Sequence, residues 1–150
     1  MLQRIQSLYL AVTVLVQVLV SQFTFLNFTQ NEVSYTLSTG GITDNSGSIV
    51  LSDYKQVFIV VLACIFALVA IALFKNRKLQ LKLTKLIGFI CLAQLSFVSI
   101  SAYRLMEEGV TDLNAGVATL LIPLCLVSVF LANKAIKKDE NLIKSIDRIR

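Results

Sequence analysis

The sequence predicts an all-α membrane protein, a bundle of four transmembrane helices, and three observations carry that prediction. Apolar residues make up 56% of the 150 residues and the mean hydropathy is +0.77, whereas an ordinary soluble domain is roughly 45–50% apolar. The apolar residues gather into four long runs. The charges stand almost wholly between and after those runs, and none of the 9 acidic residues lies inside one.

The first run, 5–26, contains 22 residues without a charge. At about 1.5 Å per residue it reaches roughly 33 Å, enough for a hydrocarbon core of about 30 Å. A cleaved signal peptide would have a shorter apolar region ending in small residues, but this run ends Gln22-Phe23-Thr24-Phe25-Leu26, so it reads as a retained span. An external loop, 27–54, follows; it holds Glu32, Asp44 and Asp53 and no basic residue. Within it Val33, Tyr35 and Leu37 alternate with Ser34, Thr36 and Ser38, Gly40-Gly41 supplies a place for positive φ, and Ile49-Val50-Leu51 forms a second apolar group. The pattern admits a small external β-hairpin between helices 1 and 2, which would have to pack on the helix ends because an isolated hairpin is marginal in water.

The second span, 57–74, leads into a basic pivot, Lys75 to Lys85, reading KNRKLQLKLTK, which reads as a tight turn into the third span at 83–103. An acidic turn carrying Glu107, Glu108 and Asp112 precedes the fourth span, 113–132. Pro123 interrupts that span, and its kink would free a carbonyl for Thr119 or a water to satisfy. The tail, 133–150, repeats Ile136, Leu142, Ile143, Ile146 and Ile149 at helical spacing, which predicts a cytoplasmic amphipathic helix, either continuing the fourth span or lying on the membrane surface.

Orientation follows from the basic residues. Twelve of the 14 lie at the N-terminus, in the pivot or in the tail, against Lys55 and Arg104 on the other side. By the positive-inside rule both termini and the pivot are cytoplasmic and the longer loop is external. The same charge excess accounts for the net +5 without nucleic acid, whose footprint would be a basic stripe on a folded surface.

Chemistry has few residues to work with. There is no His, no P-loop or dinucleotide fingerprint, and no nucleophile beside a base, so no catalytic, cofactor-binding or metal residue is named. Cys64, Cys91 and Cys125 sit in separate apolar runs and read as small buried hydrophobes. Gln17 and Gln94 lie near the middle of the first and third spans, and their expected role is interhelical hydrogen bonding, worth about 0.6 kcal/mol per contact. Ala63 and Ala67 let helices approach. No Asp, Glu or His lies in any span and the one basic residue within a span, Lys85, is near its inner end, so the intramembrane ionisable groups typical of pumps are missing.

Three blocks, MLQRIQSLYL, FKNRKLQLKL and FLANKAIKKDENLIKSIDRIR, together resemble a Bacteroidetes family of small four-helix integral membrane proteins classed as a domain of unknown function. The resemblance covers nearly the whole chain, is most specific in the terminal block, and implies a bacterial inner membrane and no mechanism. The expectation is a non-catalytic accessory or scaffold subunit. Its contacts with a membrane-protein partner or anionic lipid would come from Lys75, Arg77, Lys78, Lys82, Lys85, Lys137, Lys138, Lys144, Arg148 and Arg150. The alternative is a small self-associating transporter or channel built on Gln17 and Gln94.

Overall fold

The computed structural model describes residues 2–30, 32–74 and 76–147, with side chains described between residues 5 and 142. In order the elements are α1 (Leu2–Gln22), β1 (Leu26–Gln30), β2 (Val33–Ser38), β3 (Gly41–Asp44), β4 (Ile49–Ser52), α2 (Lys55–Ala72), α3 (Arg77–Glu107), β5 (Thr111–Ala115) and α4 (Val117–Asp147). The four helices are long and apolar enough to cross a membrane. They pack in a ring, α1 on α2, α2 on α3, α3 on α4 and α4 back on α1.

The all-α expectation is corrected. Five strands form one antiparallel sheet in the order β4-β3-β2-β1-β5. The expected hairpin is only part of it, because β1 adds the junction of the first span with the external loop, and β5 adds the junction of the acidic turn with the fourth span. The reason is stability: two strands alone are marginal, whereas five strands with an apolar face hold together. That face is built by register. Leu26 stands opposite Leu37, Phe28 opposite Tyr35, and Leu37 opposite Ile42. The Phe28 and Tyr35 rings stack at 5.6 Å. Leu26, Phe28 and Leu37 join the same buried core as Leu10, Val16 and Val20 of α1. Gly41 adopts φ 128° where β2 turns into β3, as the Gly40-Gly41 pair predicted. At the β3–β4 turn the hydroxyls of Ser46 and Ser48 donate to the Asp44 carboxylate and hold its pKa at about 2.

The corner between α1 and β1 joins sheet to helices. Phe25 is fully buried; its N–H donates to the Leu37 carbonyl at 2.7 Å. The carbonyls of Thr24 and Phe25 in turn accept from the first turn of α4, from Ala118 N–H at 3.0 Å and Gly116 N–H at 2.7 Å. They supply partners for helix N–H groups that have none within the helix. Thr119 also donates to the Phe25 carbonyl, at 2.5 Å, so it fastens α4 to the sheet rather than serving the Pro123 kink. On β2's side of the junction, buried Thr39 donates to the Ser21 carbonyl at the end of α1, at 3.3 Å.

Large apolar side chains coat the outside of the helices, while the inside mixes apolar residues such as Leu10, Ile87 and Ile122 with small and polar ones. Phe58, Phe89, Leu120 and Phe130 are each at least 66% exposed, yet α2 buries Val60, Ala63, Ala67 and Ala70. The pivot is largely helical, since α3 begins at Arg77, capped by the Asn76 side chain accepting from Leu79 N–H at 3.3 Å. The tail continues α4 without a break through Asp147.

Gly116→Ala is expected to lower the thermal unfolding midpoint in detergent by an amount equivalent to about 1–3 kcal/mol, because the added methyl would run into the Thr24 carbonyl. Gly40→Ala, with open space around it, should leave the midpoint unchanged. Equal midpoints for the two variants would contradict the role given to the corner.

Candidate functional site

Two groups of residues stand out, an exposed basic end and a buried polar interior. The basic end is made by the first turns of α3 and the latter part of α4. Lys78, Lys82 and Lys85 on α3 and Lys137 and Lys138 on α4 are all exposed. Lys134, not singled out from the sequence, is exposed beside them and shares a surface with Lys137 and Lys138. Among the described residues none of these lysines makes an ion pair, and the one salt bridge given by the structure, Lys55 to Asp53 at 3.4 Å, lies at the sheet end. Lys78 sits in the first turn of α3, near the positive end of the helix dipole, and Lys78 and Lys82, like Lys134 and Lys138, are like charges four apart. Both arrangements disfavour the helix locally, by about 0.2–0.5 kcal/mol for each like-charged pair. Helix formation is therefore not the reason these residues are there.

Arg77 differs from the rest. It is half-buried and its Nη1 donates to the Asp139 carbonyl at 3.0 Å, which staples α3 to α4 instead of leaving the guanidinium for a partner. Lys75, Arg148 and Arg150 lie outside the described residues, as does the side chain of Lys144.

The interior holds Gln17 and Gln94 together as the sequence suggested. Gln17 Nε2 donates to Gln94 Oε1 at 3.2 Å and lies 3.4 Å from Cys91 Sγ and 3.6 Å from Cys125 Sγ. The two sulfurs are 3.4 Å apart, well beyond the ~2.05 Å of a disulfide, so these cysteines are polar contacts in a network as well as buried packing. Nearby, the hydroxyls of Thr13 and Ser128 meet at 2.8 Å. Gln17 Oε1 and Gln94 Nε2 have no partner among the described residues.

Sequence reasoning missed a second buried polar group nearer the basic end. Gln6 donates its amide to the Asp139 carboxylate. Both are 3% exposed, and Gln80 on α3 is 1% exposed. The description of the helices as free of acids inside holds for the spans as first drawn but not for the longer α4, because Asp139 turns inward. A signal was present: Gln6, Thr13 and Gln17 share one face of α1, and Gln80, Thr84, Cys91 and Gln94 share one face of α3, each at the spacing of successive helical turns.

Gln94→Leu alone is expected to cost about 1 kcal/mol of stability, since it leaves Gln17 Nε2 buried with only weak sulfur acceptors. Adding Gln17→Leu should recover most of that loss, a coupling read from a double-mutant cycle of unfolding in detergent. Strictly additive losses would show that the two carboxamides do not act as a pair.

Among known families, the one described as "Domain of unknown function (DUF4293)" matches residues 2–149. No curated protein and no solved structure matches the chain. With nearly every residue covered, from the head of α1 through the end of α4, the chain belongs to the family described as Domain of unknown function (DUF4293).

Proposed function

We propose that this chain is a four-span protein of a bacterial inner membrane, with both termini cytoplasmic and the sheet external. In that setting it serves as a non-catalytic accessory or scaffold subunit that engages a membrane-protein partner through its basic end. Support for the membrane comes from the apolar coat: side chains such as Phe89 and Phe130, exposed on four long helices, need a hydrocarbon environment. Support for the orientation comes from the positive-inside pattern of the sequence and from Lys78, Lys82, Lys85, Lys134, Lys137 and Lys138, which are exposed at the end opposite the sheet.

The observation that carries the docking role is the cluster of exposed lysines at the ends of α3 and α4 that make no ion pair among the described residues, maintained where helix electrostatics opposes some of them. Positive charge alone would satisfy orientation anywhere in the loop or tail. Here it is displayed on two helices packed side by side, a geometry suited to a complementary acidic surface.

The alternative, a small self-associating transporter or channel, has in its favour the buried atoms of Gln17, Gln94 and Asp139 that have no partner among the described residues. Against it, these groups lie in the core of one chain, with Gln17 and Gln94 directed at each other, rather than on a face where copies would meet.

Neutralising Lys78, Lys82, Lys137 and Lys138 to Gln together is expected to leave the membrane level of the protein unchanged and to release any stoichiometric partner that co-purifies with the wild type in mild detergent. Retention of that partner by the variant would contradict docking through this end. Solute flux in liposomes containing only this chain would favour the alternative.

A further inference from the structure

A groove of about 530 Å³ runs along the outside of the helices between α3 and α4. Its chemistry is graded. At the basic end stand Lys85 and Asn133; the walls are then Phe89 from α3 and Phe130 from α4, 75% and 67% exposed; further along lies Leu92. At Gly88 there is no side chain, and the α4 wall at Val129 lies 3.6 Å from where a Cβ would stand. The groove is therefore polar and cationic at one end and apolar over the rest.

The helix spacing extends this gradient beyond the groove. Lys78, Lys82, Lys85, Phe89 and Leu92 recur along one face of α3, and Phe130, Asn133 and Lys137 along one face of α4. Of the acids on α4 near this end, Asp139 turns inward to Gln6, and Glu140 stands two turns beyond Asn133, away from the apolar part. No acid lines the groove.

We propose that this groove is a binding site for an anionic glycerophospholipid, with its phosphate against Lys85 and Asn133 and one acyl chain lying between Phe89 and Phe130. Charge complementarity selects the anionic headgroup, and the apolar walls distinguish the site from one for a free phosphate or an acidic peptide. The proposal rests on the reading that the helices cross a membrane with their basic end at its surface, and it goes further by assigning one lipid to one groove.

The chain contains no Trp, so Phe130→Trp gives a single fluorescent reporter inside the groove. The protein is reconstituted into phosphatidylcholine vesicles containing the same small fraction of either acyl-brominated phosphatidylglycerol or acyl-brominated phosphatidylcholine. The expected result is preferential quenching by the anionic lipid corresponding to an enrichment of roughly fivefold for one engaged lysine, abolished by adding Lys85→Gln with Asn133→Leu. Leu8→Trp, on the exposed face of α1 at the same end, should see little enrichment. Equal quenching by the two lipids at position 130 overturns the groove. The same excess at positions 8 and 130 also overturns it, while leaving a general attraction of anionic lipid to the basic end; no excess at either position removes both. Phe89→Trp, on the opposite wall, repeats the measurement should Phe130→Trp not fold.

Discussion

The structure depends on one set of interactions: polar side chains enclosed by four apolar helices pair with one another across α1, α3 and α4. Where the outside of a helix is as apolar as its surroundings, hydrophobic burial gives little reason for helices to choose one another, and close packing and hydrogen bonds decide. Here Gln6 meets Asp139, Thr13 meets Ser128, and Gln17 meets Gln94, Cys91 and Cys125. These contacts join α1 to α4 at three levels and to α3 at one, and they fix the register that brings α3 and α4 side by side. The small residues of α2, Ala63, Ala67 and Ala70, complete the ring by letting its backbone approach.

The same register separates the molecule into two chemically different ends. At one, the Thr24–Phe25 corner caps α4 and binds it to the sheet, so the strands form a built platform rather than a loose loop. At the other, α3 and α4 hold up their lysines, with Arg77 fastened to the Asp139 backbone beneath them. Packing of α3 on α4 at the basic end is what turns a charge asymmetry into a surface with a shape. In the proposed membrane setting, partner and lipid recognition both draw on that surface: Lys137 and Lys138 face outward from α4, while Lys85 guards the mouth of an apolar groove.

The helices were legible because apolar length is a strong local signal; all four were placed, though α3 and α4 proved longer than their apolar runs. The extension of α3 back to Arg77 was obscured by Lys78, Lys82 and Lys85, which interrupt hydrophobicity without breaking a helix. The sheet was only half legible. Val33, Tyr35 and Leu37 show their alternation openly, but β5, reading Thr-Asp-Leu-Asn-Ala, has a composition usual for a turn and becomes a strand only because β1, far away in sequence, offers it an edge. Gln17 and Gln94 were found by their depth in apolar runs. Gln6, Gln80 and Asp139 were not, because Gln6 stands at the very start of its apolar run beside Arg4, Gln80 and Asp139 stand among charged residues where a polar residue is ordinarily solvated, and only the packing of α1, α3 and α4 turns them inward.

Opposite placement of the sheet and the basic helix ends across one membrane is the claim on which docking and lipid selection both rest. Its most direct measurement is labelling by a membrane-impermeant maleimide of single cysteines introduced as Asn45→Cys, on the β3–β4 turn, and Lys82→Cys, on α3, with buried Cys91 and Cys125 left in place and half-buried Cys64 replaced by Ala. The account predicts that Asn45→Cys is labelled on intact spheroplasts and Lys82→Cys only after the inner membrane is permeabilised. Labelling of both positions on intact spheroplasts, or of Lys82→Cys alone, would contradict it.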